Sequence, residues 1–286
     1  MGKILVLGGT GMLGSQVIRA LKESSHDVIE TARKHSDIAT RIEFVAGQSK
    51  LSELTSVIDN LDYVINCIGV IKPYISDNNS HQIENAIKIN ALFPHELMHD
   101  SLNKGYKVIQ IATDCVYSGR VGNYSESDEF DALDVYGKSK SLGEVKSDKF
   151  MNLRCSIIGP EMGRSTSLWE WVVNQESKAQ INGFINHNWN GLTTYAFGRI
   201  CSGIISNDHF IAGTSHLVPA DKVNKYELLN LIASKSLRTD LRIKKIEAPI
   251  SVDRTLRTNL PNVNEKLWKC AGYNQVPSIS ELIGEI

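Results

Sequence analysis

The chain has 286 residues, 42% of them hydrophobic and 22% charged. That composition excludes a disordered chain, and the length suits one large α/β domain or two modest ones. Lysine plus arginine number 31 against 32 acids, so a net charge of -1 gives no global attraction to nucleic acid or an anionic membrane.

Lys3–Leu7 (KILVL) predicts a strand, and it runs into Gly8-Gly9-Thr10-Gly11-Met12-Leu13-Gly14. Val17, Ile18 and Leu21 follow at helical spacing, with Arg19, Lys22 and Glu23 between them. Further strands are predicted at residues 26–31, 62–68, 107–112 and 151–158. Helical spacing covers 51–58, 83–102 and 136–146, and Pro94 either kinks the second of these or starts a new segment. Alternating helices and near-continuous apolar strands predict a parallel sheet covered on both faces. After Gly159-Pro160 this rhythm weakens, which sets a soft boundary between residues 1–160 and 161–286.

No stretch reads as a membrane span. The run 63–71 is too short and holds Asn66, and residues 4–7 are too few for a secretory signal. Cys67, Cys115, Cys155, Cys201 and Cys270 are odd in number and form no CxxC pair. Reduced thiols in a cytoplasm are expected, and the eight histidines show no metal-ligand spacing.

The glycines satisfy G-x-G-x-x-G (Gly9, Gly11, Gly14) and G-x-x-G-x-x-G (Gly8, Gly11, Gly14) together. Backbone without Cβ makes a tight turn and approaches a pyrophosphate closely, and the next helix aims its N–H groups at the phosphates. Gly8, Gly11, Met12, Leu13 and Gly14 are therefore candidate dinucleotide-binding residues; a ligand-free turn is the bland reading. Past the second strand stand Thr31, Ala32, Arg33 and Lys34, and strand alternation turns Glu30 away from Thr31 and Arg33. Thr31 and Arg33 suit a 2′-phosphate, which favours NADPH, with NADH the alternative and a solvated basic loop the bland reading.

Tyr136 and Lys140 form Y-x-x-x-K, one helical turn apart on one face. A phenol with a pKa of about 10 needs a neighbouring cation to work as an acid near neutral pH. Lys140 is placed to supply it.

These motifs, with Ile111-Ala112-Thr113-Asp114-Cys115-Val116-Tyr117-Ser118-Gly119, Tyr124-Ser125-Glu126-Ser127-Asp128, Gly143-Glu144 and Leu153-Arg154-Cys155-Ser156-Ile157-Ile158-Gly159, carry a resemblance. The sequence resembles an extended short-chain dehydrogenase/reductase, and most closely the dTDP-4-dehydrorhamnose reductase family. The resemblance is strong over 1–160 and weaker but collinear through Arg254. It implies a Rossmann-type doubly wound sheet in 1–160 and a smaller substrate-binding α/β part in 161–286 that returns one or more elements to the sheet. It implies that Tyr136 donates a proton, that Lys140 lowers its pKa and binds the nicotinamide ribose, and that Thr113 bonds the substrate oxygen. Asn66 and Gly69 would lie beside the cofactor, and Asn90 would be structural.

The departures are two. Val45-Ala46-Gly47-Gln48 lacks the acid that touches adenine in many relatives, and Cys115 replaces the more usual tyrosine. A thiol with nothing nearby to lower its pKa is expected to be inert. The absence of a Glu after Asp114 disfavours dehydratase chemistry. Asp114, Trp189 and Arg254 are expected on the substrate, Arg254 at the diphosphate or, in the bland reading, in a salt bridge with Asp253. Trp169 and Trp171 are expected to pack.

The implied function is NADPH-dependent reduction of the C4 keto group of a nucleotide-linked 4-keto-6-deoxy sugar, in deoxysugar or surface polysaccharide synthesis. The rivals are a nucleotide-sugar epimerase with tightly bound NAD and a non-catalytic NADP(H)-binding regulatory subunit. A homodimer through helix faces near Asn90 and Tyr136 is a further expectation of the resemblance.

Overall fold

The computed structural model describes residues 2–34, 38–161 and 166–286. Its first strand, β1 (Lys3–Leu7), alternates between two apolar layers. Ile4 and Val6 face one layer with Val17, Leu21, Phe197 and Ile200; Leu5 and Leu7 face the other with Leu54, Phe93 and Leu97. All four strand residues are fully buried. Each contributes roughly 1.5–3 kcal/mol, and this two-sided burial is why the strand carries no polar residue after Lys3.

The glycine turn leads into α1 (Met12–Glu23), then β2 (Asp27–Ala32) and β3 (Arg41–Glu43). The chain continues through α2 (Leu51–Ser56), β4 (Tyr63–Asn66), α3 (Ser80–Ala86), α4 (Phe93–Lys104), β5 (Lys107–Thr113), α5 (Val135–Leu142) and β6 (Phe150–Cys155). The sheet runs β3-β2-β1-β4-β5-β6 and ends on the strand Gly213–His216, with every pairing parallel. Strand order reverses between β1 and β4. A crevice opens there, outside the carboxyl ends of the strands, where doubly wound sheets hold ligands.

Beyond residue 160 the chain comes back to this sheet. Helix Thr194–Ser206 lies on the same side as α1, its Ser202 hydroxyl 2.8 Å from that of Ser24, and Gly213–His216 adds the edge strand. The rest forms small sheets, one ordered Val223–Asn224, His187–Trp189, Val252–Asp253. They pack around Trp169, Val172, Ile181, Leu228 and Ile232. Trp169 is in this core, as expected, whereas Trp171 lies outside it and is 41% exposed.

Three elements differ from expectation. The helix predicted over 83–102 carries a π-turn, Ile87–Leu92, and Pro94 falls directly after it, in the first turn of α4. The π-turn carries Asn90, whose amide accepts from the Val70 N–H at 2.8 Å and donates to Val70 O and Ser139 Oγ. The strand predicted over 151–158 breaks after Cys155, and Ile157–Ile158 pairs instead with Leu192–Thr193. Arg41–Glu43 is an edge strand too short to show periodicity. Among the described residues, no helix is long and apolar enough to cross a membrane.

Candidate active site

The glycine turn is closed by sterics and one side chain. Gly8 has φ +79°, and a Cβ on Gly14 would lie 2.2 Å from Gly8 O, so only glycine lets α1 start this close to β1. The Gly8 N–H donates to Thr31 Oγ1 at 2.9 Å, which ties the turn to β2. Gly11 is the N-cap of α1 and offers no side-chain acceptor. The first N–H groups of that helix therefore remain as donors at the mouth of the crevice.

Two caps place the reactive side chains. Thr113 ends β5, and its Oγ1 accepts from the Cys115 N–H at 3.2 Å while donating to Asp114 Oδ1 at 3.2 Å. Asp134 caps α5 by accepting from the Gly137 N–H at 2.8 Å, and Lys72 Nζ donates to its other oxygen at 2.6 Å. Gly137 then lets α5 touch the Thr113–Val116 turn, since a Cβ there would lie 2.3 Å from Cys115 O. This contact brings Tyr136 beside Thr113 on the wall of one cavity.

Burial raises the Tyr136 phenol pKa, Cys115 adds to the rise, and the Thr113 hydroxyl pulls against it. Burial lowers the pKa of Lys140, and Glu144 opposes the fall. Lys140 Nζ donates to Ile111 O at 3.1 Å, so its ammonium is anchored to β5. Burial pushes the Cys115 thiol up to about 12 and Asp114 adds to this, so the thiol stays protonated. Burial also raises the Asp114 carboxyl, with Arg254 opposing.

A cavity of about 840 Å³ joins these parts. Gly8, Gly11, Met12, Leu13, Thr31, Arg33, Gly69, Thr113, Asp114, Tyr136 and Lys140 all line it. A second cavity of about 310 Å³ shares Met12, Asp114, Cys115, Ser156 and Ile157 with the first and extends to Asn188, Trp189, Lys225 and Arg254. Trp189 Nε1 donates to Ser156 Oγ at 2.8 Å, and Arg254 Nε donates to Tyr117 O at 2.9 Å.

Several expected contacts do not form. Asn66 lines neither cavity: its amide donates to Gln110 Oε1 at 2.9 Å and accepts from the Ile68 N–H at 3.1 Å, and it is 2% exposed. Its side chain shapes the end of β4. Gly14 also lines neither cavity; its part is the close helix–strand approach. Thr31 borders the cavity; its oxygen accepts from the Gly8 N–H, which leaves its hydroxyl proton to donate. Arg254 is not paired with Asp253, whose carboxylate takes Asn188 and Thr255 instead. Glu30 faces away from the cavity and pairs with Arg41 at 3.3 Å.

Sequence reasoning missed a buried chain behind the site. Arg154 is 1% exposed; it donates to Glu144 at 2.9 Å, to the Tyr117 hydroxyl at 2.7 Å and to His216 Nε2 at 2.6 Å. Burial, reinforced by Arg154, pushes His216 down to about 4, so it stays neutral and donates Nδ1–H to Arg257 O. The signal lay in Leu153-Arg154: an arginine inside an apolar strand demands a buried partner.

Known proteins share this architecture. The dTDP-4-dehydrorhamnose reductase of Bacillus anthracis, solved in complex with NADP, superimposes with a TM-score of 0.77 at 19% identity, over 99% of this chain and 98% of that one. That likeness carries the fold. The probable low-salt glycan biosynthesis reductase Agl14 of Haloferax volcanii is 30% identical over 183 residues, 59% of each chain. Methionine adenosyltransferase 2 subunit beta of Danio rerio is 26% identical over 249 residues, 81% of this chain and 73% of that protein. The chain spans about half the length of the curated glycan-biosynthesis relatives it matches. The model of the RmlD substrate binding domain matches residues 2–166, and with more than half of its length matched, the chain belongs to that family.

Proposed function

We propose that the protein is an NADPH-dependent reductase of the C4 keto group of a nucleotide-linked 4-keto-6-deoxy sugar. The supporting observation is the continuity of the two cavities at Asp114, Cys115, Ser156 and Ile157, directly beside Thr113 and Tyr136. A carbonyl held at that junction lies between a dinucleotide cradle and a phenol.

The residues present fit the cofactor. The turn excludes any Cβ at Gly14, the uncapped start of α1 supplies N–H donors, and about 840 Å³ lies within the range of small-molecule sites. Arg33 borders the cavity, is exposed, and suits a 2′-phosphate, while Glu30 is turned away. When bound, the reduced nicotinamide supplies a hydride for the carbonyl carbon. Tyr136 holds the proton that the developing alkoxide takes at its oxygen. Thr113 orients that oxygen through its hydroxyl. Lys140, anchored on Ile111 O, stands one helical turn from Tyr136 and offers the ribose a donor.

The substrate's sugar and diphosphate would occupy the second cavity, against Trp189 and Arg254. Relatives named for spore coat polysaccharide and low-salt glycan biosynthesis support a place in surface polysaccharide synthesis. Purified protein with NADPH and a panel of 4-keto-6-deoxy nucleotide sugars tests the reading by loss of reduced-nicotinamide absorbance. Turnover with at least one member is expected. Tight NADPH binding without turnover of any member would overturn it in favour of a regulatory subunit, the reading that the Danio rerio relative supports. NAD retained through purification would favour an epimerase.

A further inference from the structure

The second cavity has an unexpected cation. Lys225 opens the helix Lys225–Lys235 and lines this cavity. Among the described residues it has no hydrogen-bond or ion-pair partner, and burial alone lowers its pKa. A half-buried ammonium without a partner is costly unless an anion arrives to meet it.

The small sheet fixes where Lys225 stands relative to Arg254. His187–Trp189 is its central strand, flanked by Val223–Asn224 on one side and Val252–Asp253 on the other. Lys225 directly follows the first flanking strand and Arg254 directly follows the second. Register sets Asn224 and Asp253 both opposite Asn188. Two strand spacings put the flanking backbones about 10 Å apart, with Trp189 on the strand between. Both residues line the same cavity, on opposite flanks of the central strand.

Arg254 spends only Nε on the protein, on Tyr117 O, and its remaining guanidinium donors have no partner among the described residues. Among the described residues, the one carboxylate on this cavity's wall is Asp114, whose pKa burial raises and Arg254 draws back down. Lys225 and Arg254 thus face about 310 Å³ with a single carboxylate among the described lining residues. One carboxylate would satisfy one of them. Two linked anionic groups satisfy both.

Resting on the proposed nucleotide-sugar reading, we propose that Lys225 and Arg254 grip the substrate's diphosphate from the two rims of the small sheet. Lys225 is then a specificity-determining residue, and it favours nucleoside diphosphates over monophosphates. Each bond to a charged phosphate contributes enough to change affinity by about tenfold or more.

The test is calorimetric titration of the full chain, saturated with NADPH, with dTDP, UDP and GDP and with the matching monophosphates. The wild type should bind at least one diphosphate more tightly than its monophosphate. Lys225→Met should weaken that diphosphate about tenfold or more and narrow its margin over the monophosphate, while Lys225→Arg should restore most of it. Equal melting temperatures show that folding is not the cause, and Lys225→Gln takes the place of a Met variant that melts early. Unchanged diphosphate affinity in Lys225→Met, beside a wild type that binds, overturns this inference alone. A wild type that binds no nucleotide besides NADPH overturns the nucleotide-sugar reading as well.

Discussion

The two cavities are built from different material. The cofactor side is shaped by backbone: the glycine turn, the uncapped start of α1 and the strand ends. The substrate side is shaped by long side chains, Trp189, Lys225 and Arg254, carried on a sheet of three short strands. Backbone geometry is all-or-none, because one added methyl collides with a carbonyl. Side-chain geometry can be changed one residue at a time. The first side therefore suits an invariant ligand, and the second a substrate that differs from one relative to another.

The reactive residues stand at the junction, and the largest expected effect is there. Tyr136→Phe should lower kcat by about 10²–10⁴-fold and leave the NADPH dissociation constant within about twofold, by stopped-flow turnover and fluorescence titration. Equal loss of both would mean that Tyr136 shapes the cradle instead.

On the backbone side, Gly14→Ala must displace α1, since its Cβ would lie 2.2 Å from Gly8 O. A loss of about 3 kcal/mol in chemical denaturation, with weakened NADPH binding, is expected. A variant as stable as the wild type would show that the turn is not sterically closed.

The buried chain behind the site predicts a pH dependence. The folded His216 pKa lies near 4, below its ordinary 6.5, so the unfolded chain takes up that proton first. This contribution to stability is complete above about pH 6.5 and is lost as pH falls toward 4. Between pH 6.5 and 5 it amounts to about 2 kcal/mol, read from denaturant midpoints, and His216→Asn should flatten that slope.

Smaller effects divide the cofactor side further. Thr31→Val leaves the Gly8 N–H without its acceptor and should cost about 1–2 kcal/mol of stability. Arg33→Ser should weaken NADPH about tenfold and NADH far less. A Thr31 variant that loses only NADPH affinity, with stability intact, would return Thr31 to the phosphate.

Legibility followed locality. β1, the glycine turn and α1 are contiguous, so spacing alone reveals them. Tyr136 and Lys140 are one helical turn apart and equally plain. The π-turn at Ile87–Leu92 was not legible, because it is set by the bonds Asn90 makes with Val70 and Ser139, 20 and 49 residues away. Asn66 was misread because strand position does not reveal a cross-strand partner such as Gln110. Lys225 was missed because, in sequence, it is one more lysine at a helix start; only the pairing of Val223–Asn224 with His187–Trp189 carries it to the cavity.

The most direct measurement of the central claim uses NADPH deuterated at the transferring C4 position, with the turned-over nucleotide sugar examined by NMR. The account predicts one deuterium on C4 of the product sugar for each NADPH consumed. Product with no deuterium at C4, or a changed sugar formed without NADPH consumption, would contradict it.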